Sequence, residues 1–350
     1  MSAPKNYAAY LKEPKARLTV DEASLVQPGA GEVLVKVHAV SIQPVDWKIQ
    51  DYAFYQGTYP AVIGTDVAGV VEAVGEGVTN VKKGDRVLAH SQSLVTHKNA
   101  SAAFQHYSVQ NSLAVAPIPS FLSFEEASVF PLSLSTAADG LYQPYSLALP
   151  FPKPDAPNPE GKGKVLLVWG GASSVGATTI QLAVASGLRV VTTASPANFD
   201  LVKSLGASAV SNYKDEKIVE QLVAELEKDG EEFAGVYDAI AENGTVELSA
   251  QVAAQVKGGK KFIAATLPPP KDLPEGVSST QVWAVNPVDK DNGKLAKALY
   301  HEFVPAALAN GALKVKPDPL VVGKGLESIQ AGLDRQKQGV SAQKIVVSIV

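Results

Sequence analysis

Lys164-Val165-Leu166-Leu167-Val168-Trp169-Gly170-Gly171-Ala172-Ser173-Ser174-Val175-Gly176 is the stretch on which the fold turns. Val165 to Trp169 is an unbroken apolar run, the pattern of a strand buried on both faces. The run gives way to a turn of small residues, and Val175 to Ser186 continues as an apolar helix. Strand, tight turn and helix in that order are the context a dinucleotide fingerprint requires. Small side chains let the backbone approach a pyrophosphate, and the helix N-terminus offers unpaired N–H groups and a partial positive charge. Ser173 stands where the middle glycine of G-x-G-x-x-G would be, so its hydroxyl is a candidate donor to a phosphate oxygen. A hydrolase G-x-S-x-G elbow is excluded, because Val175 sits where its second glycine belongs. The plainer alternative is a glycine-rich turn with no ligand, and the βαβ context argues against it.

Working outward, Arg189–Ala194 reads as a second strand, followed by a helix near Phe199–Leu205 and a strand near Val210. The alternation goes on with helix Ile218–Lys228, strand Val236–Ala241, helix Val246–Val256 and strand Lys260–Ala265. Such repeats give a doubly wound parallel sheet with helices on both faces. The charge-rich stretch Glu220–Glu232 reads as a solvated face. Upstream, the prolines between Pro144 and Pro159 preclude a regular element and suggest an exposed loop. Ser123 is placed to cap a helix, with Glu125 and Glu126 in its first turn.

The first third alternates instead. Val33–Val40 and Val67–Val74 read as half-buried strands, with glycine turns at Gly57, Gly64 and Gly84. After a helix at Lys294–Leu308 the chain returns to β-structure and ends on the strand Lys344–Val350. The simplest α/β architecture is an N-terminal β domain completed by the C-terminus, with the doubly wound domain inserted between.

Composition sets outer limits. The 350 residues are enough for two domains, and 46% apolar with 19% charged residues is globular usage. A net charge of -4 provides no global basic field for nucleic acid or an anionic membrane. Cysteine is absent, which removes disulfides, thiolate nucleophiles and every cysteine-based metal site. No apolar stretch approaches the ~18 residues of a membrane span, and a cytoplasmic address is the default expectation.

NAD-binding folds place an acid about twenty residues past the fingerprint, where it binds the ribose 2′-hydroxyl. Here Ser195-Pro196-Ala197-Asn198 occupies that place. An acid would repel a 2′-phosphate, whereas neutral donors accept one, and Tyr213 at the end of the next strand is a further donor. NADP(H) is therefore expected over NAD(H).

Taken together these residues resemble the zinc-free medium-chain dehydrogenases/reductases, of quinone oxidoreductase type, over essentially the full length. The resemblance is carried by Gln43-Pro44-Val45-Asp46-Trp47-Lys48, Gly64–Val71, Val81–Val87, the Gly170–Gly176 turn, and Ser195–Asn198 with Lys203–Ala207. The last pair is most similar to the fungal branch that holds trans-acting enoyl reductases. The resemblance implies a GroES-like catalytic domain at 1–122 and 310–350 and a Rossmann NADP-binding domain at 123–309. By position it implies that Val45 and Lys48 lie beside the nicotinamide half of the cofactor, and that Gly170, Ala172, Ser173, Ser174, Val175 and Gly176 cradle the pyrophosphate. Ser195, Asn198 and Tyr213 would hold the 2′-phosphate, and Thr136 would border the substrate. Leu267, after the last strand of the doubly wound sheet, and Ser341 and Ala342, before the final strand, would approach the cofactor. Gln43 departs from the pattern, since relatives commonly have asparagine there, and the Pro144–Pro159 loop is longer than in compact quinone reductases.

Zinc alcohol dehydrogenases of the superfamily use a cysteine and a histidine at the positions of Gln43 and Thr65, so no metal is expected. The five histidines, His38, His90, His97, His106 and His301, show no ligand spacing and read as strand or surface residues. Lys48 is the charged residue expected at the chemistry, acting on the nicotinamide ribose or the substrate carbonyl. Tyr52 and Tyr55 either line the substrate site or pack. The expected activity is hydride transfer from NADPH to an activated C=C bond or a quinone, by a monomer or homodimer. The alternatives are an NADPH-binding protein of the same fold that acts as a partner and, more distantly, an alcohol dehydrogenase with an unusual metal site.

Overall fold

The computed structural model describes residues 5–54 and 57–350. The chain divides into two compact units: Met1–Leu132, Ala296–Pro305 and Asp318–Val350 form the first, and Ser133–Leu295 with Ala306–Pro317 the second.

The first unit opens with β1 (Asn6–Leu11) antiparallel to β2 (Thr19–Ala23). β3 (Glu32–Ser41) is the long strand expected from the alternation, and Val33, Val35, Val37 and Val40 on it are buried. Helix α1 (Pro44–Tyr52) follows at once. Val45, Trp47 and Ile49 alternate as they would in a strand, so periodicity does not announce this helix. Two local features decide it: Pro44 at the first helical position, where its missing N–H leaves nothing unpaired, and Asp46 Oδ2, which accepts the Gln43 N–H at 2.7 Å. The short β4 (Ala61–Val62) pairs with β1. β5 (Asp66–Val74), β6 (Arg86–His90), the short α2 (Ser93–Thr96), β7 (Tyr107–Asn111) and β8 (Val115–Pro117) complete the N-terminal run. α3 (Phe124–Ala127) is capped as expected: Ser123 Oγ accepts from Glu126 N at 3.1 Å and Glu126 accepts from Ser123 N at 2.8 Å.

After α4 (Pro131–Tyr142) the α/β alternation begins with β9 (Lys164–Trp169), α5 (Ser174–Ala185), β10 (Arg189–Ala194), α6 (Phe199–Ser204) and β11 (Ala209–Asn212). It continues through α7 (Ile218–Glu227), β12 (Glu232–Asp238), α8 (Thr245–Gln255), β13 (Phe262–Ala265) and β14 (Ser278–Gln281). The sheet has the order β11-β10-β9-β12-β13-β14 and is parallel throughout. The chain winds outward from β9 to β11, then crosses back to β12, so the switch point lies between β9 and β12. Val165, Leu167, Trp169, Val191, Phe233 and Ile263 build its core.

Four expectations are corrected here. The strand expected at Val236–Ala241 is shifted to Glu232–Asp238, because Gly235 (φ +109°) accommodates a bulge and Asp238 Oδ1 ends the strand by accepting from Ile240 N and Ala241 N at 3.0 and 2.8 Å. Leu267 does not follow the last strand of this sheet, since β14 comes after it. β14 escapes a periodicity reading because Ser278-Ser279-Thr280-Gln281 is polar throughout and sits at an edge. The Glu220–Glu232 stretch is not a single solvated face. α7 ends at Glu227, and Arg189, with a side chain only 15% exposed, draws in Glu225 at 3.2 Å and also Glu231. The Pro144–Pro159 segment is irregular as expected but partly buried: Lys153 N and Asn158 N both donate to Ala185 O, at 3.2 and 3.0 Å, closing the C-terminal end of α5.

The helix expected at Lys294–Leu308 follows α9 (Asn286–Asp289) and is interrupted. α10 (Lys294–Lys297) and α11 (Val304–Ala309) flank a π-helical stretch, Ala298–Phe303, just before Pro305, which has no N–H to give the carbonyl four residues back. The chain then returns to the first unit with β15 (Asp318–Lys324), α12 (Ile329–Lys337) and β16 (Gln343–Ser348). They complete the sheet β15-β16-β3-β5-β6-β8, with β7 also on β3. Val35, Val37, Ile42, Val67, Phe104 and Ile345 lie in its core. Among the described residues no helix is long and apolar enough to cross a membrane.

Candidate functional site

In the second unit the expected cofactor residues lie along the C-terminal ends of the parallel strands, the edge where open α/β sheets bind ligands. The turn after β9 is fixed by its backbone: Gly170 N donates to Thr193 Oγ1 and Gly171 N to Thr193 O, both at 2.9 Å. Gly170 has φ +79°, and a Cβ there would run into Ile240. A Cβ on Gly176 would run into the backbone carbonyl of Gly170. Its absence lets the first turn of α5 close onto the β9 turn. Ser173 is the N-cap of α5, its Oγ accepting from Gly176 N at 3.0 Å. The hydroxyl proton of Ser173 is not consumed by that bond. Ser174 Oγ is buried and has no hydrogen-bond partner among the described residues. A buried hydroxyl left unsatisfied costs about 1–3 kcal/mol unless a ligand or water completes it. A pyrophosphate oxygen at the N-terminus of a 12-residue helix would do so.

At the end of β10, Asn198 Nδ2 donates to Ser195 Oγ at 3.1 Å, so these two neutral residues are brought together. The nearest acid in sequence, Asp200, is exposed in the first turn of α6. Tyr213, just past β11, is 41% exposed. Lys214 places its ammonium 5.9 Å from the Tyr213 ring centroid. Sequence reasoning passed over this lysine, although its adjacency to Tyr213 was the available signal. Leu267 is half-buried after β13. Thr136 is buried in α4, and its carbonyl accepts from the buried Tyr237 hydroxyl at 2.7 Å. Asp139, one turn further on α4, accepts from Trp283 N at 2.8 Å and from the Tyr145 hydroxyl, and burial raises its pKa.

In the first unit, Val45 and Lys48 are carried by α1, both half-buried. The Lys48 ammonium lies 5.7 Å from the centroid of the Trp47 ring. Tyr52, 63% exposed, meets the same indole edge-on at 5.7 Å. Tyr55 lies outside the described residues. Ser341 is exposed and Ala342 has φ +50° at the entry to β16.

Beneath α1 is a buried polar cluster that sequence reasoning missed. Ser41, Gln43, Asp46, Asp66 and Lys344 are each at most 4% exposed. Lys344 Nζ donates to Gln43 Oε1 at 2.5 Å, and Gln43 Nε2 donates to Asp66 Oδ2. Ser41 Oγ and Leu132 N also donate to the Asp66 carboxylate, at 2.5 and 2.7 Å. Burial raises Asp66 and lowers Lys344, each opposed by the other's charge. Asp46 is pushed up to about 8, chiefly by burial, with the Gln43 N–H opposing and the Asp66 charge adding. His90, opposite Asp66 in the β5–β6 register, is an interior residue, and burial pushes it down to about 3, so its ring is neutral. Thr65 Oγ1 is buried with no partner among the described residues. Among the described residues no group of three or more His, Cys, Asp or Glu is arranged to hold a metal ion.

Residues 29–134 match the alcohol dehydrogenase GroES-like domain, and residues 174–286 match the zinc-binding dehydrogenase family. A trans-enoyl reductase of Aspergillus japonicus is 41% identical over 354 residues, covering 100% of this chain and 99% of the relative. Among solved structures, an alcohol dehydrogenase superfamily protein from Novosphingobium aromaticivorans shares the fold at a TM-score of 0.79 and 23% identity, over 99% of this chain and 100% of that one. A mycobacterial structure complexed with NADPH does so at 0.72 and 22% identity, over 98% and 99%.

Proposed function

Since this chain belongs to the medium-chain dehydrogenase/reductase superfamily, with a GroES-like unit and a Rossmann unit, we propose that it is an NADPH-dependent reductase of an activated C=C bond or a quinone, working without zinc. The observation that carries the reading is the β9–α5 turn, where glycines leave room for a phosphate and the buried Ser174 hydroxyl lacks a partner among the described residues. Ala172 to Gly176 would hold the pyrophosphate. Ser195 and Asn198 would take the 2′-phosphate, where an acid would repel it, and the neighbouring Tyr213 and Lys214 suit the same role. Val45, Leu267, Ser341 and Ala342 would approach the cofactor as the family resemblance implies.

NADPH, when bound, supplies the hydride. Reduction of an enoyl or enone builds negative charge on the carbonyl oxygen, and the Lys48 ammonium would stabilise that charge directly or through a ribose hydroxyl. The side chain of Thr136 would border the substrate. The name of the Aspergillus japonicus relative, a trans-enoyl reductase, supports the enoyl class over the quinone class. Zinc is set aside on the chemistry of the donors: Gln43 offers an amide already committed to Lys344 and Asp66, and Thr65 a hydroxyl, neither of which is an ordinary zinc ligand.

The test is NADPH oxidation by the purified protein with a panel of enals, enones and quinones, repeated with NADH. Turnover of at least one enone or quinone, with NADPH preferred, is expected. Tight NADPH binding with no turnover of any of them would replace the enzyme reading by that of a cofactor-binding partner protein.

A further inference from the structure

Residue 43 is joined to both charges of the buried cluster and to the first turn of α1. We propose that Gln43 is a positioning residue: its amide bridges the Lys344 ammonium to the Asp66 carboxylate and thereby holds the N-terminal end of α1, and with it Lys48, in the pose used on the nicotinamide. The proposal rests on the reading of Lys48 given above.

The chemistry of the side chain comes first. Lys344 needs an acceptor and Asp66 needs a donor, and a primary amide is the neutral group that offers both at one end. The two bonds are in place, from Lys344 Nζ to Oε1 and from Nε2 to Asp66 Oδ2. A glutamate could not donate to Asp66, a leucine could serve neither partner, and an asparagine is one methylene short.

Register then shows why this bridge controls a helix. Ser41 is paired with Asp66 on one side and Val346 on the other, and Lys344 lies two residues before Val346 on the same strand face. The cluster therefore spans β16, β3 and β5, and α1 starts three residues after β3 ends. Gln43 also donates its backbone N–H to Asp46 in the first turn of α1. The far end of α1 is tied separately: Gln50 exchanges bonds with Gln330 at 2.9 and 3.1 Å and donates to Ala16 O at 2.7 Å, and Asp51 pairs with Lys337. With its C-terminal end held independently, α1 would pivot about that end if the bridge were broken. Lys48 lies about 7.5 Å along the axis from Gln43, between the bridge and that pivot, so a tilt of the helix re-aims its side chain.

The test compares Gln43→Leu, Gln43→Glu, Lys344→Met and Lys344→Arg with the parent at equal folded fraction, checked by unfolding midpoints. Turnover at saturating NADPH should fall by about ten- to a hundredfold in Gln43→Leu and Lys344→Met, with the KM for NADPH changing less than about threefold. Lys344→Arg, which keeps a donor for Oε1, should recover most of that loss. A merely structural role would lower the midpoint and leave the kcat of the folded fraction alone. Amide hydrogen exchange should quicken over residues 46–49 in Gln43→Leu while β5 stays protected. Parental kcat in Gln43→Leu overturns the inference. If the parent turns nothing over, the enzyme reading fails instead, and unchanged protection at 46–49 in Gln43→Leu would then overturn the bridge on its own.

Discussion

Gly176→Ala sets two effects against each other at the turn that would carry the cofactor. In an open helix the change would stabilise by about 1 kcal/mol, because alanine loses less backbone entropy than glycine. Here the added methyl meets the carbonyl of Gly170, with Gly170 C and Gly171 Cα both at 2.9 Å. These are backbone atoms held by the bonds to Thr193, so no flexible side chain can swing aside. Overpacking of this kind costs about 1–3 kcal/mol. The clash wins, and a net loss of roughly 0–2 kcal/mol is left from those two opposing terms. Binding should suffer more than folding, since relief comes by moving the first turn of α5 away from β9, and the N–H groups of that turn are the proposed phosphate donors. Losing one or two hydrogen bonds to a charged phosphate, at about 1.5–3 kcal/mol each, predicts an NADPH complex weaker by about tenfold to about 10⁴-fold. Calorimetric titration with NADPH beside a thermal melt separates the two losses. A variant that binds NADPH like the parent would refute the assignment of this turn.

Ser195→Asp places a carboxylate where the 2′-phosphate is expected, so NADPH affinity should fall at least tenfold while NADH affinity holds or improves; equal loss of both would remove Ser195 from the phosphate site. Lys48→Ala should lower enone reduction by on the order of 10²–10³ with NADPH affinity within tenfold, and parental turnover would make the lysine a bystander. Asp46 is raised to about 8 in the fold, from an ordinary value of 3.8, so between those pH values the folded state keeps a proton that the unfolded chain has lost. Its contribution to stability therefore falls as pH rises through this window, by at most about 1.4 kcal/mol per pH unit, and levels off above it. Asp46→Asn keeps an acceptor for Gln43 N, and its unfolding free energy should be flatter than the parent's from pH 5 to 8; parallel curves would mean that Asp46 is already ionised. Elemental analysis should find well under one zinc per chain, and a chelator should leave reduction unchanged.

What the sequence made legible and what it hid divide by range along the chain. β9 announces itself because a strand buried on both faces reads as a continuous apolar run, and the fingerprint turn is legible because its constraints act between neighbours. β14 is hidden, since an edge strand of serine, threonine and glutamine has no hydrophobic period. α1 is hidden because alternation at Val45, Trp47 and Ile49 imitates a strand, and the decisive Gln43–Asp46 bond is visible only once the backbone has turned. The sharpest case is Gln43. In one dimension it is noticed for what it is not, a cysteine or an asparagine. Its partner Lys344 is 301 residues away, and no local pattern links the two. Its amide also closes the cluster chemically. With Lys344 and Asp66 already buried, a further formal charge at residue 43 would leave one of the three uncompensated, and an apolar residue would strand two. Cluster and residue therefore fit each other chemically in this chain, through contacts that the sequence around residue 43 does not display.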